Sequence, residues 1–536
     1  MHVEGASVGD IMRKEYATKG LAIVSNRLPT IVEFEASTKA WSGKPGCGGL
    51  VSAMNPILER RGGTWVGWPG MINEDARGHE SRLDELLDGL GQQAGYALES
   101  VMLNAEQVRD YYGGFANSVL WPLFHGFPNR CDFNPRYWKS YLKVNRRFAA
   151  TLMDTLDEDQ PVWVHDYHLL VVAEMLRSMG FEGRIGFFLH IPFPALENFI
   201  KLPWRAELMR ALLAFDLVGF QSARDERNFL ECVERLVPHA SISRVASTST
   251  VALEGDAGKR VTVGVFPISI DFEDFETRAR APSVLQHLSA LRRDFGGTKM
   301  FLGVDRLDYT KGLVERFHAF ELLLEEHPEL CENVVLFQLV VPSRENVPEY
   351  QALKREVDRI VGRINGRFSS PSWQPIHYLY NTVSTEELTA LYRFASVAVV
   401  TPLCDGMNLV AKEFCAAQVD ESGVLVLSEF AGAADEFHRD ALLVNPYDTV
   451  GCAQVLYRAV MMDRQERRER IQRLRARVQT HHVFRWANQF VESLHEPSTL
   501  LEVSDTEYLP TIDTGEFAAS LFIPPDPFGN TTRPSL

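Results

Sequence analysis

The chain has 536 residues, 45% apolar and 24% charged, and 55 basic against 71 acidic side chains give it a net charge of −16. That length exceeds what one hydrophobic core organises and predicts two domains of ordinary or slightly larger size. The acidic balance excludes nucleic acid and anionic membrane as general partners, because any anionic ligand has to be held by cations gathered locally.

Residues 1–19 are polar and unpatterned, a flexible lead-in with no apolar run of signal-peptide length. Leu21 to Ser25 (LAIVS) reads as a buried strand ending in Asn26-Arg27-Leu28-Pro29. A glycine-rich stretch, Gly43 to Gly49, runs into a helix over Leu50–Leu58, and Thr64–Trp68 is a further strand. Strands and helices then alternate through Val162–His168, a helix over Leu169–Met179, Ile185–Pro194 and Asp216–Phe220. Ala246 to Lys259 has hairpin or loop composition, followed by a strand over Val261–Ile268. A second alternating set starts at Met300 and continues through Val334–Val341, Ile376–Leu379, Val397–Val400 and Val424–Leu427. Such alternation indicates doubly wound parallel sheets, here two Rossmann-like halves divided near Asp271. The tail from Ser498 is rich in Pro, Thr and Asp and is expected to be weakly ordered. No later run is long enough to span a bilayer. Cysteines 47, 131, 232, 331, 404, 415 and 452 form no CxxC pair, and their odd number predicts free thiols in a reducing, cytoplasmic compartment.

The stretch Ala398–Glu413 (AVVTPLCDGMNLVAKE) organises the rest. It passes from strand through a polar loop to a helix beginning at Met407, and such junctions bind ligands in open α/β sheets. A helix start presents unpaired N–H groups and the positive end of a dipole, both suited to phosphate. Arg306 and Lys311 lie between a strand and a helix, as a diphosphate clamp or as ion-pair partners of Asp305, Asp308 or Glu315. Asp305 and Asp308 are more simply partners of those cations than metal ligands. Arg344 ends VVLFQLVV, as a solvated cap or a ligand clamp. In His165-Asp166-Tyr167-His168 the His-x-x-His spacing lacks a third ligand nearby, which favours a hydrogen-bonding role for Asp166 over a metal. His190, after GFFL, is either a satisfied core histidine or a cleft residue. Gly46-Cys-Gly-Gly49 suits a turn or close backbone approach to phosphate.

SNRLP, GGLVSA, WVGWPG, YYGGFANSVLWPLFH, HDYHLL, GFFLHIPFP, GVDRLDYTKGL, VPSR, GRINGRF, TPLCDGMNLVAKE, LSEFAGAA and VNPYD run in that order from Leu21 to Asp448. Together they resemble the ordered motif set of the trehalose-6-phosphate synthases. The resemblance implies a glycosyltransferase-B fold: an acceptor-binding domain over 20–270, a nucleotide-sugar domain over 271–480, and a helix over 481–497 crossing back, before a tail over 498–536. It implies transfer of glucose from UDP-glucose to glucose 6-phosphate with retention, giving α,α-trehalose 6-phosphate and UDP, without cofactor or metal. Arg27, Tyr112, Trp121, Asp166 and Arg344 match acceptor positions, with Arg27 and Arg344 on the 6-phosphate. Gly48 and Gly49 match the glycine pair covering the donor, Arg306 and Lys311 the diphosphate clamp, and His190, with Ile191 beside it, a position near the donor glucose. Asp405, Gly406, Met407 and Asn408 match contacts to the donor sugar, Leu409, Val410 and Glu413 the nucleotide contacts, and Val383 a backbone contact to the base.

The chain departs from the family pattern at Cys404, where the family usually has Arg, at Ser269 in place of Gly, and at Ser396 in place of Asp. Transfer to another phosphorylated acceptor, such as glycerol 3-phosphate, and a non-catalytic sugar-phosphate-binding role stand as the alternatives. A homo-oligomer is compatible with this reading; nucleic acid and membrane are not expected partners.

Overall fold

Runs such as VWVH, LVGF and VAVV are apolar at successive positions, as strands covered on both faces must be, and each is fully buried. The computed structural model describes residues 20–35, 40–46, 48–73, 80–157, 160–245, 248–253, 259–344, 347–496 and 508. The expected lead-in, Cys47 and all of the expected tail except Tyr508 lie outside them.

The first sheet contains β1 (Leu21–Arg27), β4 (Gly63–Trp68), β5 (Ala97–Ser100), β6 (Val162–His165), β7 (Ile185–Phe188) and β8 (Leu217–Phe220). It is completed by β9 (Ala240–Val245), β10 (Thr248–Leu253) and β11 (Arg260–Val265). Their order is β5-β4-β1-β6-β7-β8-β11-β10-β9, parallel except where β9 and β10 fold over as a hairpin. The second sheet is built from β12 (Lys299–Arg306), β13 (Val334–Val341), β14 (Ile376–Tyr380), β15 (Val397–Val400), β16 (Val424–Ser428) and β17 (Leu442–Val444). It is wholly parallel, in the order β14-β13-β12-β15-β16-β17. This is the glycosyltransferase-B architecture expected from the motifs.

Strand order decides where ligands can enter. In the first sheet the chain winds from β1 toward β4 and β5 on one side and β6 onward on the other. In the second it winds from β12 toward β13 and β14, then returns to β15 on the opposite side. Each reversal leaves a crevice beyond the carboxyl ends of two adjacent strands, β1/β6 and β12/β15.

The helix Val483–His495 returns to the first sheet. Phe490 stacks on Trp163 at 4.3 Å between ring centroids, and Trp486 Nε1 donates to Phe266 O at 3.1 Å. The sequence makes room for it with glycines: a Cβ on Gly186 or Gly219 would come within 2.7 or 2.8 Å of the Phe490 ring. At the connection between the halves, Val483 N–H donates to Ile270 O, and the buried Lys412 ammonium donates to Ile268 O at 2.8 Å while pairing with Glu436.

Several elements differ from the sequence expectations. The strand expected over Val162–His168 stops at His165, because Asp166 takes φ 75° and turns the chain into a 3₁₀ turn. The helix expected from Met407 begins at Leu409, after Asn408 at φ 75°. The glycine-rich stretch before Gly49 is partly strand: β2 (Thr30–Glu35) and β3 (Ala40–Pro45) form a separate hairpin. Val108–Leu120 is a π-helix, a rare form that recurs at functional sites and that apolar periodicity does not reveal.

Candidate active site

At the β1/β6 crevice, Arg27 leaves the end of β1 with its guanidinium 4.2 Å from the Trp68 ring centre and 5.6 Å from that of Tyr112. Tyr112 comes from the π-helix and stacks on His168 at 5.9 Å. Burial raises the Tyr112 phenol's pKa, but Arg344, Arg27 and Arg306 outweigh it and leave the net shift downward. Asp166 follows β6, and its Oδ1 accepts from His190 N–H at 3.3 Å. Burial pushes its carboxyl up to about 7, against its backbone hydrogen bonds and the pull of Arg306 and Arg344.

Trp121 joins this cluster to the second half. Its ring lies 4.3 Å from the Arg344 guanidinium and 5.6 Å from that of Arg306. Arg344, at φ 49°, donates to Asp308 Oδ2 at 3.2 Å and across the cleft to Tyr167 Oη at 3.3 Å, and also contacts Tyr350 Oη. Asp308 caps the turn Tyr309–Lys311 through Thr310. Burial raises its pKa, yet Arg344, Lys311 and Arg306 prevail and keep it ionised.

The β12/β15 crevice holds the other cluster. Lys311 Nζ sits 2.6 Å from Asp405 Oδ2, which also accepts from Asn408 Nδ2 at 3.1 Å. Burial opposes ionisation of Asp405, but Lys311 overcomes it and the pKa is lowered. The ion pairs offered as alternatives for the two cations do not form: Asp305 pairs with Arg316, Asp308 with Arg344, and Lys311 with Asp405. Arg306 is exposed and makes no ion pair among the described residues. Gly432 N–H donates to Asp405 O at 3.2 Å and Ala433 N–H to Met407 O at 3.0 Å, so the LSEFAGAA segment braces the loop.

Two backbone approaches bring the halves together. A Cβ on Gly406 would lie 2.1 Å from His190 O, and one on Gly49 would lie 2.8 Å from Leu409 Cδ1. The glycine pair Gly48–Gly49 therefore adjoins the start of the helix Leu409–Ala417, which also carries Val410 and Glu413. Glu413 accepts from Tyr392 Oη at 2.8 Å, and burial raises its carboxyl's pKa. His190 Nε2 is 3.1 Å from His165 Nδ1, and burial lowers the His190 pKa to about 3, so the ring is neutral. Val383 is half-buried in the loop after the edge strand β14. Cys404 is half-buried, and burial lifts its thiol to about 12, leaving it neutral where the family pattern has a cation.

Sequence reasoning gave no role to His125, Tyr167, Tyr350 or the Lys412–Glu436 pair, and weighed His168 only as a metal ligand, not as the ring stacked on Tyr112. His125, Tyr167 and His168 stand in the quoted motifs, but an aromatic or histidine there reads equally well as core. Buried polar atoms without a hydrogen-bond partner gather at this cleft: Trp121 Nε1, His125 Nε2, His165 Nε2, both His168 nitrogens and Asn408 Oδ1. Among the described residues no group of three His, Cys, Asp or Glu is placed to hold a metal, and no helix is long and apolar enough to cross a membrane. The cleft thus combines four cations, Arg27, Arg344, Arg306 and Lys311, with neutral hydrogen-bonding side chains. That suits a phosphorylated polyhydroxyl compound beside a second anionic ligand.

A family model, glycosyltransferase family 20, matches residues 19–496. The chain is 41% identical over 496 residues to a trehalose-6-phosphate synthase of Mycolicibacterium gilvum, covering 91% of this chain and 96% of that protein. It is 42% identical over 486 residues to one of Mycobacterium leprae, covering 90% and 96%. Its structure resembles that of an α,α-trehalose-phosphate synthase (UDP-forming) from Burkholderia xenovorans in complex with glucose-6-phosphate. The TM-score is 0.79 at 36% identity, over 89% of this chain and 100% of the other. An E. coli structure bound with UDP-2-fluoro glucose gives a TM-score of 0.78 at 36% identity, over 89% and 99%.

Proposed function

The chain belongs to glycosyltransferase family 20, and from that membership we propose that it moves glucose from UDP-glucose to glucose 6-phosphate, forming α,α-trehalose 6-phosphate and UDP. The observation that carries this reading is the meeting of two clusters at facing switch points. Arg27, Tyr112, Trp121, Asp166 and Arg344 stand against Arg306, Lys311 and Asp405, linked where Arg306 approaches the Trp121 ring, while Arg344 ties the halves together through Tyr167. The first cluster takes the sugar phosphate. Arg27 and Arg344 grip its phosphate, and Asp166, when ionised, accepts from a sugar hydroxyl.

The second cluster takes the donor. Arg306 and Lys311 face its diphosphate, Asp405 and the backbone of Gly406–Asn408 its hexose, and Glu413 its ribose. Val383 contacts the base. Gly48 and Gly49 close over it, and His190 flanks the hexose.

Transfer proceeds with retention and without a metal. The carboxylates near the reacting centre are committed, Asp405 to Lys311 and Asn408, and Asp166 to the acceptor side. This supports front-face transfer. The acceptor hydroxyl oxygen bonds to the anomeric carbon as the bond to the diphosphate oxygen breaks, and the hydroxyl proton passes to that departing phosphate. The transition state resembles an oxocarbenium ion, so negative charge grows on the leaving group. Arg306, Lys311 and the helix start at Leu409 stabilise that charge. The described cysteines are free thiols, which supports a cytoplasmic enzyme.

The test is UDP release by purified protein with glucose 6-phosphate or glycerol 3-phosphate as acceptor, with and without chelator. Release with glucose 6-phosphate that survives chelation is expected. Release with glycerol 3-phosphate instead, or ligand binding without release, overturns the reading.

A further inference from the structure

His125 lies four residues after Trp121 and is 3% exposed. Its Nδ1 is 2.7 Å from Trp121 O, and a carbonyl oxygen only accepts, so Nδ1 carries the proton. The ring packs on Trp121 at 4.2 Å between centroids. Burial pulls its pKa down to about 4, so the ring is neutral and Nε2 presents a lone pair. That Nε2 is buried with no hydrogen-bond partner, as is the neighbouring Trp121 Nε1, which can only donate. An unpaired buried acceptor beside an unpaired buried donor is costly unless a ligand or water satisfies both.

The charges acting on the imidazole come from the second half. They are Asp308, Lys311 and Asp405, from the loops after β12 and β15 on the opposite side of the cleft, and His125 in turn acts on Asp405. The imidazole thus lies within electrostatic reach of the Lys311–Asp405 pair, with its second nitrogen unpaired. That pair already satisfies itself at 2.6 Å and leaves the His125 lone pair unused.

Resting on the proposed glucosyl transfer, we infer that His125 Nε2 accepts a hydrogen bond from a hydroxyl of the donor hexose held between Trp121 and Asp405. His125 then selects for a hydroxyl at one ring position and fixes the hexose relative to the acceptor cluster. A hydroxyl is required because a neutral imidazole lone pair takes a proton donor, and a hexose lacking it leaves the nitrogen buried and unpaired.

His125→Asn keeps an amide N–H for Trp121 O but has no atom at the Nε2 position, whereas His125→Gln returns an oxygen acceptor there. The Asn variant is expected to lose about tenfold in kcat/KM for UDP-glucose, the scale of one buried hydrogen bond, and the Gln variant to recover most of it. The Asn penalty should vanish on one monodeoxy UDP-glucose and persist with every monodeoxy glucose 6-phosphate. A penalty equal on all analogues, one that vanishes only on an acceptor analogue, or none at all overturns the assignment. Calorimetry separates this from the underlying reading. Wild-type protein that releases no UDP refutes glucosyl transfer, while a fall in affinity for UDP-glucose relative to UDP in His125→Asn still supports the contact and an unchanged ratio refutes it.

Discussion

Gly406→Ala tests whether the close fit of the two halves sets the rate. A Cβ at this position would sit 2.1 Å from His190 O, 3.0 Å from His190 C and 3.1 Å from Ile191 Cα. All three are backbone atoms of the segment after β7, so no side chain can swing aside. Restoring even a 3.0 Å contact requires the DGMN loop and the His190 segment to separate by about 0.9 Å. Displacements near 1 Å in a reacting geometry cost on the order of 100-fold in rate. The same loop carries Asp405 and, through it, the position of Lys311, so the loss should appear mainly in kcat. Gly49→Ala is the control: its Cβ would meet Leu409 Cδ1 at 2.8 Å, the end of a flexible side chain that can rotate away. It should lose less than about tenfold, as small overpacking strains do. The assay is UDP release at saturating glucose 6-phosphate, with thermal midpoints recorded for both variants. Because the Gly406 clash lies between the two halves and not inside the core of either, its midpoint should move little. Wild-type kcat in Gly406→Ala, or an equal loss in both variants, would show that closure at this contact does not control turnover.

Three further outcomes are expected. Arg306→Ala should lower turnover at least ~100-fold, the scale of losing one preorganised electrostatic donor, with no change in midpoint because Arg306 is exposed; near-normal turnover in a UDP-release assay refutes the clamp. Lys412→Met leaves Glu436 buried without its cation and should destabilise the fold by about 3–5 kcal/mol in urea unfolding, and Lys412→Met combined with Glu436→Gln should recover part of that. The Asp166 carboxyl, raised from 3.8 to about 7, should give kcat/KM for glucose 6-phosphate an acid limb near pH 7 that Asp166→Asn abolishes. The sign for stability is opposite: the native state keeps this proton while the unfolded chain has released it, so the contribution of Asp166 to stability falls as pH rises from 3.8 to about 7.

Much of the fold was legible because it is local. Buried parallel strands need unbroken apolar runs, and those runs mark β1, β6, β12, β13, β15 and β16 within a few residues of their observed ends. The cations and carboxylates at the strand ends were visible as candidates, but a charged residue just past a buried strand is either a solvated cap or a ligand clamp, and it was the family resemblance that separated the two. Chain conformation at those ends was not legible. Asp166 and Asn408 both adopt positive φ, which a non-glycine residue accepts only when surrounding contacts hold it there. The π-helix carrying Tyr112 hid behind an aromatic-rich segment that reads as ordinary core.

By itself, then, the sequence determined two parallel α/β halves, the polar residues at their strand ends and the family to which the motifs belong. Tertiary structure decided which of those residues meet. Lys311 finds Asp405 94 positions away, and Arg344 reaches Tyr167 across 177. It also decided that Arg27 and Asp166 share one switch point while Lys311 and Asp405 share the other, and that His125 is buried against Trp121 with one nitrogen unpaired. Strand order and the closure of one sheet upon the other fix these neighbours, and both follow from packing between distant segments rather than from the local periodicity that a sequence displays.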